Sequence, residues 1–201
     1  MRPDNPFGTD PARHAEHRRD AAQWAADLFR REAVIFDSET TGLGSDDEFV
    51  QLGVIDLQGN TLLDALVRPS RPIPPDATAI HRLTDADVAG APAFPALYDT
   101  LRDALGGRTV IVYNADYDRR ILWQTCRLYD LPMIEPARWY CAMKVYARYH
   151  GAWNNRSGDY RWHKLASACQ VEGVPIHAAH SAIGDCHLTL ALLRKMAAAS
   201  A

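Results

Sequence analysis

The pattern of apolar and polar positions predicts a sheet near the start of the chain and helices around it. Residues 33–37 open with the apolar run Ala-Val-Ile-Phe, which reads as a buried strand. Residues 49–57 alternate well enough for a second strand and 61–67 for a third. Gln58-Gly59-Asn60 lies between them, so the pair reads as a hairpin. Pro69, Pro72, Pro74 and Pro75 end that strand and impose an extended connection. Residues 109–112, Thr-Val-Ile-Val, form the clearest later strand, and 139–143 start as another short one. Helical spacing marks 11–32, 76–83, 94–105, 116–129, a stretch reaching His150, 164–171 and 181–199, while Thr84 is placed to cap a short acidic turn. Residues 1–10 read as a disordered lead-in, and 151–159 as a polar loop apart from Trp153. A meander of strands followed by alternating strands and helices predicts a mixed sheet with helices on its faces. The chain divides into an N-terminal extension with a helix, 1–31, and one domain, 32–201. The early helix carries Trp24, Leu28 and Phe29 on one side and is expected to cover the core from outside.

Composition narrows the picture. With 201 residues, 47% of them hydrophobic, the chain can bury one substantial core. A net charge of −3 argues against broad binding to duplex DNA over many phosphates, while leaving room for a local grip on a few. Cys126, Cys141, Cys169 and Cys186 show no Cys-x-x-Cys spacing and read as free thiols of a reducing compartment. The N-terminus lacks the apolar stretch of a secretory signal, and no run approaches membrane-spanning length, so the expected location is cytoplasmic, without a membrane partner.

The candidate chemistry begins at Asp37 and Glu39. Side chains at i and i+2 of a strand share a face, so these two acids project together. Paired carboxylates repel and lose solvation, and a hard divalent cation such as Mg²⁺ or Mn²⁺ relieves both effects. A bare Asp-x-Glu is more often an ordinary strand end with solvated acids, so its partners elsewhere decide. Asn114-Ala115-Asp116-Tyr117-Asp118 follows directly on the strand 109–112, and Asp118 falls in the first helical turn, where the dipole favours a carboxylate. His180 and Asp185 are five residues apart, about 140° around a helix, and would not share a face if both were helical. That spacing puts His180 on the loop before the helix and Asp185 inward from its first turns. A loop histidine can swing over a metal site and act as a base near neutral pH. His81 stands soon after the proline-rich connection.

Taken in order, Asp-x-Glu-Thr-Thr-Gly at 37–42, Ile-His-x-x-Thr at 80–84, Asn-Ala-x-aromatic-Asp at 114–118 and His-x-Ala-x-x-Asp at 180–185 resemble the DEDDh family of 3′-5′ exonucleases. That family includes the proofreading subunit of bacterial replicative DNA polymerase, ribonuclease T and oligoribonuclease. The resemblance spans roughly 32–196 and implies an RNase H-like α/β fold, a five-stranded mixed sheet with the second strand antiparallel. It implies that Asp37, Glu39, Asp118 and Asp185 hold two metal ions, Mg²⁺ or Mn²⁺, and that His180 is the general base. Thr40, Thr41 and Leu43 would approach the terminal nucleotide, with Leu43 as an apolar wedge against the last base. His81 matches a position near the 3′ hydroxyl, and Asn114 one that supports the second motif. The substrate implied is a single-stranded nucleic acid 3′ end, DNA first, cleaved to nucleoside 5′-monophosphates in proofreading or repair, with a polymerase as a family partner. Trimming of RNA ends by the same chemistry is the alternative, and a non-catalytic nucleic-acid-binding module a third that the intact acids and histidine oppose. Tyr117 stands where phenylalanine is commoner, Tyr113 where histidine is frequent, and Arg82 where glycine is usual. Residues 144–164 interleave aromatics with cations, a composition suited to single strands or to packing on the sheet.

Overall fold

A computed structural model describes residues 11–176 and 180–200; the lead-in expected over 1–10 lies outside them. The helices are α1 (Pro11–Leu28), α2 (Pro75–His81), α3 (Asp85–Val88), α4 (Phe94–Leu105), α5 (Ala115–Leu128), α6 (Ala142–His150), α7 (Leu165–Val171) and α8 (Ala182–Ala198). The strands are β1 (Ala33–Thr40), β2 (Phe49–Asp56), β3 (Thr61–Leu66), β4 (Thr109–Val112), β5 (Arg138–Cys141) and the short pair β6 (Trp153–Asn154) and β7 (Asp159–Tyr160). The five longer strands form one sheet in the order β3-β2-β1-β4-β5. β2 is antiparallel to both neighbours, whereas β1, β4 and β5 run parallel, so the expected mixed sheet is present with its second strand antiparallel.

Side-chain parity on β1 divides the interior. Val34 and Phe36 point to one face and pack with Val54, Val110, Leu101 and Ile121, under α4 and α5. Ala33 and Ile35 point to the other and pack with Ile55, Leu193 and Met196, under α8. Asp37 and Glu39 continue this second row and therefore emerge toward α8. The early helix belongs to the same core: Ala21, Ala22, Ala25 and Leu28 are buried in it. Small residues at that seam let α1 lie close against its neighbours.

The first turn of α8 meets β2 backbone to backbone. A Cβ added at Gly53 would stand 2.6 Å from the Ala182 carbonyl carbon and 2.7 Å from the Ile183 nitrogen. Gly53 pairs across the ladder with Asp37, so its missing side chain makes room beside the acid. Gln51, two residues away on the same face, accepts a hydrogen bond from the Ala182 N–H at 3.1 Å. A glycine within a strand pattern marks such an approach.

Two local findings modify the sequence reading. The segment 151–159 is not wholly loop, since β6 and β7 pair as a ribbon around a turn with Gly158 at φ +66°. Two residues per strand are too few for periodicity to register. Helix α2 stops at His81 because Arg82 adopts φ 68°, ψ 0°, the left-handed conformation that ends many helices. Thr84 then starts α3, with the Asp87 carboxylate accepting from its N–H at 2.8 Å.

Gly53→Ala is expected to destabilise the fold by about 1–3 kcal/mol, the usual penalty for overpacking, read as a melting temperature lower by several degrees. Arg82→Gly should act oppositely, raising stability by about 0.5–1 kcal/mol through relief of left-handed backbone; chemical denaturation measures both.

Candidate active site

Oxygen atoms of Asp37, Glu39 and Asp185 lie within 4.8 Å of one another. Two come from the end of β1 and the third from the first turn of α8, carried there by the Gly53 contact. The helix is capped by Ser181, whose Oγ accepts from the Gly184 N–H at 3.2 Å. Asp118 is buried at the start of α5 and stands beside this trio rather than within it: its carboxylate accepts a hydrogen bond from Ser38 Oγ at 2.7 Å. Ser38 lies between the two acids in sequence and points to the opposite face, which is how it reaches a residue arriving under α5.

The acids raise one another's proton affinity. Burial pushes Asp37 well up, and the charges of Asp118, Asp185 and Glu39 add to it. Burial, then Asp185 and Asp118, carries Glu39 to about 7. Burial carries Asp118 to about 7 against the opposing Ser38 hydrogen bond. Asp185 is raised by burial and held back by the backbone N–H and charge of His180. The group of possible ligands that converges among the described residues, Asp37, Glu39 and Asp185, offers oxygen atoms alone, and such a set with mutually destabilised charges fits a hard divalent cation.

His180 is exposed, directly before the cap of α8, with φ 68°. A left-handed non-glycine residue is sparsely populated and recurs at functional sites. Leu43 is 81% exposed, an apolar side chain standing free beside the acids' strand. The loop bearing it is pinned from α5: Arg120 donates to the Gly44 carbonyl at 2.7 Å and to that of Leu43 at 3.1 Å, and Tyr117 Oη donates to that of Gly42 at 2.8 Å. Tyr117 Oη also meets Thr40 Oγ1, and Thr41 Oγ1 donates to Asp47 at 2.7 Å. Both threonine hydroxyls are thus engaged in shaping the loop. His81 is buried, its Nδ1 accepting from the Leu83 N–H at 3.1 Å and its Nε2 without a partner, and burial lowers its pKa. Asn114 is exposed, and its carbonyl accepts from the Tyr117 N–H at 3.0 Å as α5 begins.

Several positioning residues escaped the sequence reading: Ser38, Gln51, Gly53 and Arg120. Only Gly53 carried a sequence signal, as a glycine inside a strand. Glu48, read as part of a polar turn, is buried and accepts from the Ser70 N–H at 3.0 Å and Tyr129 Oη at 2.9 Å, bracing the base of the loop.

Comparison with known proteins agrees with this arrangement. The family model RNase_T, described as an exonuclease, matches residues 34–193. An exonuclease of Escherichia phage 186, CP81, is 39% identical over 183 residues, covering 88% of this chain and 92% of its own. Exodeoxyribonuclease 10 of Escherichia coli K12 is 35% identical over 161 residues, covering 79% of this chain and 66% of its own. Among solved structures, Exonuclease X in complex with 5′ overhanging duplex DNA superposes with a TM-score of 0.62 at 29% identity, over 84% of this chain and 92% of that one. A DEDDh nuclease domain bound to rAMP gives 0.66 at 16% identity, over 82% and 90%, a likeness of fold. The chain belongs to the RNase_T exonuclease family.

Proposed function

We propose that this protein is a metal-dependent 3′-5′ exonuclease that removes nucleoside 5′-monophosphates from the 3′ end of single-stranded DNA. The observation carrying this reading is the convergence of Asp37, Glu39 and Asp185, with Asp118 alongside and His180 at the edge. The four carboxylates would hold two Mg²⁺ or Mn²⁺ ions. When bound, such ions neutralise the phosphodiester, favour hydroxide over water and stabilise the departing oxygen.

The chain's own residues do the rest. Ser38 fixes the Asp118 carboxylate through a hydrogen bond made across the sheet. Leu43, held out by the Arg120 and Tyr117 contacts, stacks its apolar side chain against the terminal base and keeps the next base from following. His81 and Asn114 line the approach to the terminal sugar. An imidazole nitrogen of His180 takes the proton from the attacking water, whose oxygen forms the new bond to phosphorus. The bond from phosphorus to the 3′ oxygen of the penultimate nucleotide breaks, and that oxygen takes a proton from solvent water to become the new 3′ hydroxyl, while His180 returns its proton to solvent. DNA is favoured because a relative at 35% identity is named an exodeoxyribonuclease.

Single-stranded DNA and RNA labelled at either end test the reading. A 5′ label should yield a descending ladder in Mn²⁺ or Mg²⁺, a 3′ label should be released at once as mononucleotide, and EDTA should abolish both. Asp37→Ala should lower the rate by at least about a hundredfold. Cleavage surviving EDTA or Asp37→Ala would remove the metal assignment, and faster trimming of RNA would overturn the choice of DNA. His180→Ala should lower kcat by about a hundredfold or more, the usual loss of a general base, while leaving binding of the strand in EDTA unchanged.

The raised acids also set a stability dependence. A carboxyl whose folded pKa exceeds its unfolded value near 4 keeps a proton that the unfolded chain has lost. With Glu39 and Asp118 at about 7, the metal-free fold therefore loses stability as pH rises from about 4 to 7. Melting temperatures in EDTA should fall across that range, and the gain on adding Mn²⁺ should be larger at pH 8 than at pH 5, where protons compete for the carboxylates.

A further inference from the structure

The aromatic and basic tract over 144–164 divides in the structure. Tyr146, Tyr149 and Tyr160 are buried, packing against one another's surroundings in the interior. Trp162 is 56% exposed and lines two hollows, of about 440 and 250 Å³. Trp153 is half-buried and packs edge-on against Tyr160 with ring centres 5.3 Å apart, so Trp162 is the ring of the tract left most open to solvent.

Its place is set relative to the acids. The candidate site occupies the ends of β1 and β4, and α6 begins directly after β5, the next strand along, with Lys144 in its first turn. Lys144 Nζ donates to Asp116 at 2.5 Å, two residues before Asp118. Tyr113 Oη donates to the His163 carbonyl at 2.8 Å and so fastens the segment bearing Trp162 to the end of β4. The ribbon leading to that segment is held in turn by His17 Nδ1 against Tyr160 Oη at 2.8 Å and by the Arg161 N–H donating to the Ala152 carbonyl at 2.7 Å. With strands about 4.8 Å apart, the ends of β1 and β5 are separated by about 10 Å, the length of about three stacked nucleotides.

Charge matches the position. Lys144 Nζ stands 5.8 Å from the Trp162 ring centre, and Arg148, one helical turn on, lines the same hollow. Arg161 and Lys164 flank the ring and are exposed; the facing acids are Asp116 and Asp159. A cationic strip in a chain of net charge −3 is a local feature rather than a property of the whole surface. An exposed ring accepts the face of any base and, beside cations that meet phosphates, binds single strands without reading sequence.

We propose that Trp162, with Lys144 and Arg148, forms a platform for the single-stranded nucleotides immediately upstream of the 3′ end, an inference that rests on the exonuclease reading of the acids. The scissile phosphate is held at the acids while the following bases lie across the ends of β4 and β5 and stack on the indole. A dinucleotide is too short to reach it, so the platform is felt only on longer strands.

The test compares kcat/KM on a deoxydinucleotide and a deoxyoctanucleotide. In the unmodified protein the longer strand should be preferred, and Trp162→Ala should reduce the ratio of the two values about tenfold, as for the loss of one stacked base, through KM. Trp162→Phe should retain most of the ratio, and Arg148→Ala should reduce it further as salt is lowered. Anisotropy of a fluorescein-labelled octanucleotide in EDTA should show a similar weakening for Trp162→Ala. An unchanged ratio and unchanged anisotropy would overturn the platform while leaving the acids' role intact. A protein that binds the octanucleotide through Trp162 yet cleaves neither length would instead overturn the exonuclease reading and keep the platform.

Discussion

Everything at the candidate site depends on how closely the last helix can approach the first hairpin. Where α8 begins, its backbone rests on β2 at a glycine, with Gln51 bonded to the Ala182 N–H. Any side chain at position 53 would hold that turn away from the sheet. The contact lies on the ladder opposite Asp37, so the same absence of atoms that seats the helix brings Asp185 to the acids of β1. Hydrophobic packing of Leu188, Leu192 and Met196 supplies the attraction along α8, and the glycine sets the distance.

That proximity carries an electrostatic penalty. Four carboxylates share a partly buried region, and their proton affinities rise together. The fold answers with hydrogen bonds aimed at particular oxygens, Ser38 on Asp118 and the His180 backbone on Asp185, while leaving the remaining charge for a cation to balance. Cys186, buried among the same elements with its thiol donating to the Gly53 carbonyl at 3.3 Å, adds no competing ligand, since burial and the neighbouring acids keep it protonated.

What the sequence made legible was what is local. The strand parity of Asp37 and Glu39, the first-turn position of Asp118 and the loop position of His180 each follow from a few consecutive residues. The five-stranded sheet with its second strand antiparallel came from the family resemblance, and the order of its strands came only from the structure, because nothing within a strand names its neighbours. Ser38 and Glu48 were opaque for the same reason, since their partners are Asp118, Ser70 and Tyr129, and Gly53 signalled a close approach without naming Ala182 as what approaches. The composition of the 144–164 tract suited either single strands or packing on the sheet, and burial assigns Tyr146, Tyr149 and Tyr160 to packing while leaving Trp162 exposed. Helix α1, expected as an outer cover, shares its alanines with the main core even though the family match starts at residue 34.

The distance along the chain between the acids has a consequence for synthesis. Asp37 and Glu39 leave the ribosome early, whereas Asp185 belongs to the last helix and docks on a strand made long before it. A nascent chain therefore carries three of the four acids, Asp37, Glu39 and Asp118, before α8 has emerged and closed onto β2 to bring the fourth.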